Sequence, residues 1–575
     1  MNLSRLIVIS AFGIAVCCAW GCQSQQETSA PRSEDWNAFV TELEETYFNA
    51  NPAFAVYQGR HEFDGKLPDW SADGIKNWIV SLRTLREKAR AFDASSLDEK
   101  QTFEREYVIA VINGELFWLD TAQWPFKNPR YYAGALDPNV YVMREYAPPV
   151  ERLKAYTAYA KAVPAAVEHI EANLRTPLPR PYVDIGKLTF GGLADYYEND
   201  VPAVFSSVTD STLQADFRAA NEGAIRSMRG IDMWLDAQRA NATESFALGA
   251  DLFSRMLKET ELVDVPLDEL ERVGRQDMAR NVAALREACA QYAPGKPIPD
   301  CIAKSNANKP AGGTVAAARR QLDELKAFVA EAQIVTIPGP EQARVEEAPP
   351  YQRYNFAYID IPGPYEKGLP SIYYVAPPDP SWSKAEQQAY IPGRSNLLFT
   401  SVHEVWPGHF LQFLHSNRSQ SRFGQNFLDY AFVEGWGHYA EEMMWDTGLG
   451  QGDPDTHIGQ LLEALQRNAR YLSAIGLHVR GMTTQESERL FREEAFQDPA
   501  RSRQQAARGT FDPAYLNYTL GKLMIRKLRD DWTASRGGRS AWKPFHDTFL
   551  SYGGPPIPLI RKAMLGDNAG PLLNR

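Results

Sequence analysis

Residues 401–409 read SVHEVWPGH, and the spacing of the two histidines governs how the whole chain is understood. His403 and His409 are six positions apart, with Glu404 between them. On an unbroken helix, six residues at ~100° each turn through roughly 600°, so the two rings would point well apart. Pro407 changes that expectation. It has no N–H to donate, and its ring clashes with the carbonyl four residues back, which belongs to His403 itself. Gly408 tolerates dihedrals closed to other residues. Together they predict a helix entering near Asn396, a break, and a return of His409 to the side of His403. Helical patterning resumes at once in Phe410, Leu411, Phe413 and Leu414.

Two histidines beside a glutamate are part of a zinc-site pattern, in which the histidines bind the metal and the glutamate is the base. A catalytic zinc takes three protein ligands and leaves one position open. The best third ligand is Glu434, in residues 432–441, FVEGWGHYAE. His438 and Glu441 fall at +4 and +7 from Glu434. On one helix they share its face, where they would orient the ligands.

Outward from this segment the chain reads mostly as helix. Apolar residues recur near the helical period over 36–49, 74–92, 97–119, 149–174, 213–241, 245–263, 266–292 and 315–332. Ser71 and Asp264 read as helix starts. Residues 334–393 are different, rich in Pro, Gly and Tyr, with short strands expected within 351–361 and 371–375. The expected layout is a helical N-terminal part (36–333), a strand and loop segment (334–393) and a helical metal-binding part (394–575). Residues 36–575 are expected to form one continuous fold.

The N-terminus reads as a processing signal. Arg5 is its one early charge, and an apolar run from Leu6 to Ala19 is too short to span a bilayer comfortably. Ala19-Trp20-Gly21-Cys22 resembles a bacterial lipobox. It implies removal of 1–21, lipid on Cys22 and a flexible tether over 22–35. A soluble secreted protein cleaved nearby, or a retained anchor, is the alternative. Gln23 resembles outer-membrane sorting, which would leave the protein facing the periplasm. In that oxidising compartment Cys289 and Cys301, flanking a Pro/Gly-rich loop, are expected to form a disulfide. Five cysteines are too few for a disulfide scaffold. Net charge −11 gives no reason to expect nucleic acid.

HEVWPGHFLQ (403–412) together with EGWGHYAEE (434–442) resembles the bacterial domain-of-unknown-function 885 family, whose members look like glutamate-type zincin peptidases with an expanded HExxPGH motif. Residues 467–470, 476–478, 518–521 and 545–547 extend the resemblance. It implies a large helical zincin-like fold with a deep cleft between helical lobes and a few short strands before the metal helix. It implies one Zn2+ per chain on His403, His409 and Glu434. Glu404 would be the general base. Tyr518 would donate to the oxyanion, with Tyr515 as the alternative donor. His478 would lie in the cleft, and Gln412 and Trp436 would support the metal helices. Tyr373 and Tyr374 would form an edge for the substrate backbone. Two departures stand out. Many relatives carry an acidic residue near the position of Ala474, four before His478. Gly437-His438 replaces the more usual alanine-leucine pair.

The function expected is hydrolysis of short peptides by a lipid-anchored zinc enzyme. A zinc hydrolase of a non-peptide amide and a non-catalytic peptide- or partner-binding lipoprotein remain open. Terminal specificity and oligomeric state are not legible.

Overall fold

The computed structural model describes residues 33–348, 353, 356–567 and 569–574. The expected signal peptide, Cys22 and most of the tether lie outside the described residues. The first helix, Ser33–Ala50, begins inside the segment expected as tether.

The described residues are mostly helical, with one three-stranded sheet. Local signals account for many helix starts. The Ser71 hydroxyl accepts from the Gly74 N–H, capping Ala72–Ala91. Asp98 and Gln101 form a capping box on Glu99–Leu116. Asp264 does not cap the Leu267–Tyr292 helix, which starts behind Pro266. It pairs with Lys258 instead. Cys289, in that helix, is disulfide-bonded to Cys301 in the helix Ile298–Ala307.

The Arg180–Asn199 helix is absent from the sequence reading. Its Gly186, Gly191 and Gly192 weaken any helix on propensity alone. Tertiary burial overrides that. Tyr182, Val183, Phe190, Tyr196 and Tyr197 are all buried, and the helix packs along Ser211–Gln238.

The cores divide the chain differently from the expected boundary at 333. One core gathers residues between Phe48 and Leu235. Another joins Trp36, Leu43, Leu82 and Tyr107 to Phe423 and Phe427. The largest unites helices from Phe253 to Val329 with the chain from Phe399 to Leu573. Residues after about 250 therefore pack with the C-terminal helical part, because their apolar faces close on the Pro454–Val479 helix.

The sheet has β1 (Ala343–Glu347), β2 (Ala357–Asp360) and β3 (Ser371–Val375) in the order β1-β3-β2. β1 pairs parallel and β2 antiparallel to β3. Tyr373 faces Val345 on one side and Ile359 on the other. This corrects the expectation that Tyr373 and Tyr374 form a substrate edge. β3 is central, its backbone groups are taken by both neighbours, and both tyrosines are buried. Arg144 fastens β2 to the N-terminal helices, holding both carboxylate oxygens of Asp360 (3.1 and 2.7 Å) and the Tyr57 carbonyl (2.7 Å).

A buried ion network ties three long helices together. Asp277 meets Lys522 at 2.6 Å, with both side chains almost fully enclosed. Glu442 meets Arg280 at 2.7 Å and Arg526 at 3.0 Å. Asp277→Ala leaves the Lys522 ammonium, among the described residues, with only Glu442 at 3.4 Å. The expected loss is about 3–5 kcal/mol of unfolding free energy. Urea unfolding checks it, and a loss below about 1 kcal/mol would show the network to be dispensable.

Candidate metal centre

The Arg394–Glu404 helix stops one residue beyond His403. A new helix, His409–Ser416, starts directly after Gly408. Between them the Gly408 N–H reaches back to the Val402 carbonyl (3.0 Å), and the Gln412 N–H closes on the Gly408 carbonyl (3.0 Å). A Cβ at position 408 would lie 1.8 Å from the His403 carbonyl oxygen, so no side chain fits there. The break brings the His403 and His409 rings to 4.6 Å, nearly perpendicular.

Glu434 comes from the adjacent Tyr430–Asp446 helix, capped by the Asp429 carboxylate at the Phe432 N–H. Its Oε2 lies 3.2 Å from His403 Nε2 and 3.4 Å from His409 Nε2. One ligand atom from each of the three residues falls within 4.8 Å of the others. Donors at ~2.0–2.1 Å from a tetrahedral zinc lie ~3.3 Å apart. The donor set and its spacing therefore fit that ion.

Further side chains orient these three. His403 Nδ1 meets Glu441 Oε1 at 2.7 Å, which leaves Nε2 directed at Glu434. Arg467 holds the same Glu441 oxygen at 3.0 Å and Glu463 at 2.6 Å. Burial would raise the Glu441 carboxyl, but Arg467, His403 and His438 outweigh it and hold it well below the usual range. His438 lies 3.4 Å from Glu441, and burial with nearby Lys522 pushes its pKa down to about 3. It is therefore neutral. The Trp436 indole donates to the Pro407 carbonyl at 2.8 Å, pinning the Glu434 helix to the break. Gln412 bonds Ser416. Gly437 lies against the His403 ring: a Cβ there would sit 2.7 Å from the His403 Cε1.

Glu404 keeps partial access to solvent and meets no hydrogen-bond donor among the described residues. Burial and the Glu434 charge raise its carboxyl, against the pull of His409 and His403. Tyr518, from the Asn517–Thr533 helix, stacks 6.3 Å from the His403 ring, with its hydroxyl 3.5 Å from Arg508 Nη2. Burial and Glu434 raise its pKa, so it is a neutral phenol. Tyr515 is fully enclosed, with its hydroxyl against Gly509.

His478 does not join the cluster, which corrects the expectation of a cleft residue. Its Nε2 bonds the Gly509 carbonyl at 2.8 Å, and its Nδ1 accepts the Leu248 N–H at 3.3 Å. Both ring nitrogens are used, Phe253 stacks on the ring, and burial lowers its pKa to about 4. His546 bridges the Tyr439 hydroxyl and the Ile334 carbonyl. His415 bonds the Thr336 carbonyl, and His61 sits between Asp64 and Glu366.

The sequence reading gave no role to Arg467, Arg470, Arg508 or Glu463. A signal existed: Arg467 and Arg470 sit three apart in the Pro454–Val479 helix, amid residues buried on almost every face.

The chain belongs to a bacterial family described as "Bacterial protein of unknown function (DUF885)", whose model matches residues 52–564. Two solved structures share the fold. One, a candidate lipoprotein of unknown function from Shewanella oneidensis, is 24% identical with TM-score 0.76, covering 92% of this chain and 98% of that one. The other, a candidate lipoprotein from Colwellia psychrerythraea, is 15% identical with TM-score 0.77, covering 92% and 97%. No curated protein matches this chain significantly. No described helix is long and apolar enough to cross a membrane.

Two outcomes follow from the geometry. Gly408→Ala meets backbone that cannot yield. It should cost more than about 3 kcal/mol in urea unfolding, and a loss under 1 would refute the fit. His546 has its pKa pushed down to about 3 by burial. The unfolded chain takes up that proton below ~6.5 and the folded chain does not. This contribution is therefore complete above ~6.5 and falls by about 1.4 kcal/mol per unit as pH drops toward 3. In His546→Gln, the decline of stability from pH 6 to pH 4 should be shallower by about that slope. An unchanged slope would show that His546 takes up a proton in the folded chain.

Proposed function

We propose that this protein is an exported zinc-dependent peptidase acting on short peptides, anchored by lipid on Cys22 at the outer membrane and facing the periplasm. The observation that carries the reading is the convergence of His403 Nε2, His409 Nε2 and Glu434 Oε2. The candidate-lipoprotein descriptions of the two structural relatives support the anchor.

His403, His409 and Glu434 would hold the metal. Glu441 keeps the His403 proton on Nδ1, so Nε2 is free to coordinate. In the protein alone, burial and Arg467 lower His403, but Glu434 and Glu441 outweigh them and raise it to about 9. Metal binding therefore releases a proton. A bound zinc supplies Lewis acidity for attack by water on a carbonyl. Glu404 takes the proton of the attacking water on its unpaired carboxylate and hands it to the leaving amine. The Tyr518 hydroxyl donates to the developing oxyanion, and Arg508 at 3.5 Å steadies that hydroxyl. A cleft between helical lobes, admitting short peptides and excluding folded proteins, belongs to the same reading.

Metal analysis of the purified protein should find one zinc per chain, lost in His409→Ala. Glu404→Gln should keep the zinc and lose about 10²–10⁴-fold of turnover on a peptide mixture. Protein that stays metal-free after zinc reconstitution would sink the proposal. Zinc bound without turnover of any peptide would favour a non-peptide amide or a binding role.

A further inference from the structure

Three guanidinium groups surround the Tyr518 ring. Arg470, Arg508 and Arg467 lie 4.6, 5.6 and 5.8 Å from its centroid. Two have carboxylate partners. Arg467 holds Glu441 and Glu463. Arg508 holds Asp512 at 2.9 Å and the Tyr430 hydroxyl at 3.0 Å.

Arg470 has none. It is 7% exposed, and its Nε donates to Gln505 at 2.8 Å. Its two Nη groups meet no acceptor among the described residues, and neither is fully enclosed. Tyr518 supplies no counter-charge, because it is a neutral phenol. A nearly buried cation is costly unless it is paired, and the two Nη groups still have N–H donors to offer an anion.

Its position says what that anion is. Arg470 lies one helical turn from Arg467, whose Nη2 is 3.2 Å from His403 Nδ1. Arg470 and His403 both lie against the Tyr518 ring, 4.6 Å and 6.3 Å from its centroid. An extended residue spans ~3.3 Å. A peptide with its reacting carbonyl beside Tyr518 thus ends within a residue or two of the guanidinium. The arginine fork matches a carboxylate with two parallel hydrogen bonds.

We propose that Arg470 binds the free C-terminal carboxylate of the substrate, so that the site cuts at or near the C-terminal end of short peptides. This rests on the peptidase reading above. An acidic side chain offers the same chemistry, and the test separates the two.

Calorimetric titration of the full mature chain carrying Glu404→Gln, which suppresses turnover, measures binding directly. The probes are N-acetyl-Ala-Phe, its C-terminal amide, and N-acetyl-Ala-Glu amide, which carries a carboxylate only in its side chain. The free acid should bind about tenfold to a hundredfold tighter than either amide. Adding Arg470→Gln should abolish that gap, and Arg470→Lys should restore part of it. The comparison between probes needs no altered Arg470, so it stands even if Arg470→Gln fails to fold. Equal binding of acid and amide, no binding of the acid at millimolar concentration, or a gap that survives Arg470→Gln overturns the proposal. Tight binding of the glutamyl amide overturns the C-terminal assignment. Absence of the gap with Arg470 intact, while the wild-type chain hydrolyses peptides, sinks this inference alone. Carboxylate-dependent binding without hydrolysis by the wild-type chain sinks the peptidase reading alone.

Discussion

The contact between Gly408 and the carbonyl of His403 fixes where everything else in the centre can be. Without a side chain at 408 the backbone folds back on the end of its own helix, and two histidines six residues apart face one another. The Trp436 indole then locks the neighbouring helix to the Pro407 carbonyl. That single bond sets the level at which Glu434 meets the two rings. Gly437, one residue on, lets the His403 ring lie against the helix. The glycine at 437 thus makes room for the His403 ring, which a Cβ there would crowd.

Successive residues of the Glu434 helix hold the surroundings in place through charge. Glu441 is neutralised by Arg467 and aligned on His403. Glu442 turns to Arg280, Arg526 and Lys522. His438 lies between the two sets and stays neutral because burial and Lys522 both oppose its proton. Buried ions of this kind add little net stability over apolar packing. What they impose is one geometry, since each charge has acceptors in only one arrangement of the four helices that supply them.

Much of this was legible in the sequence, for identifiable reasons. Pro407 and Gly408 announce a break through backbone chemistry, which acts locally. The +4 and +7 spacing of His438 and Glu441 from Glu434 is likewise a property of one helix. What stayed hidden depends on contacts between distant segments. The Arg180–Asn199 helix contradicts its own propensity and exists through burial. The central place of β3 depends on β1, whose residues Ala343–Glu347 carry too many charges to read as a strand. His478 sits in an apolar helix like a cleft residue would. Only the Gly509 carbonyl and the Leu248 N–H reveal that its nitrogens are spent.

The fate of His478 also bears on the missing carboxylate at position 474. Ala474 is fully buried, and the histidine four residues on is held by backbone groups. An acidic residue at 474 would therefore have no cleft histidine to orient in this chain, and its absence removes nothing from the centre. On the proposed peptidase reading, discrimination between peptide ends would fall to groups around Tyr518, which include three guanidinium groups. Two of the three are matched by Glu441, Glu463 and Asp512, which leaves Arg470 as the guanidinium without a carboxylate among the described residues. Low-dielectric walls strengthen the pull of an unmatched guanidinium on an anion, so on that reading the peptide end it would favour is the anionic one.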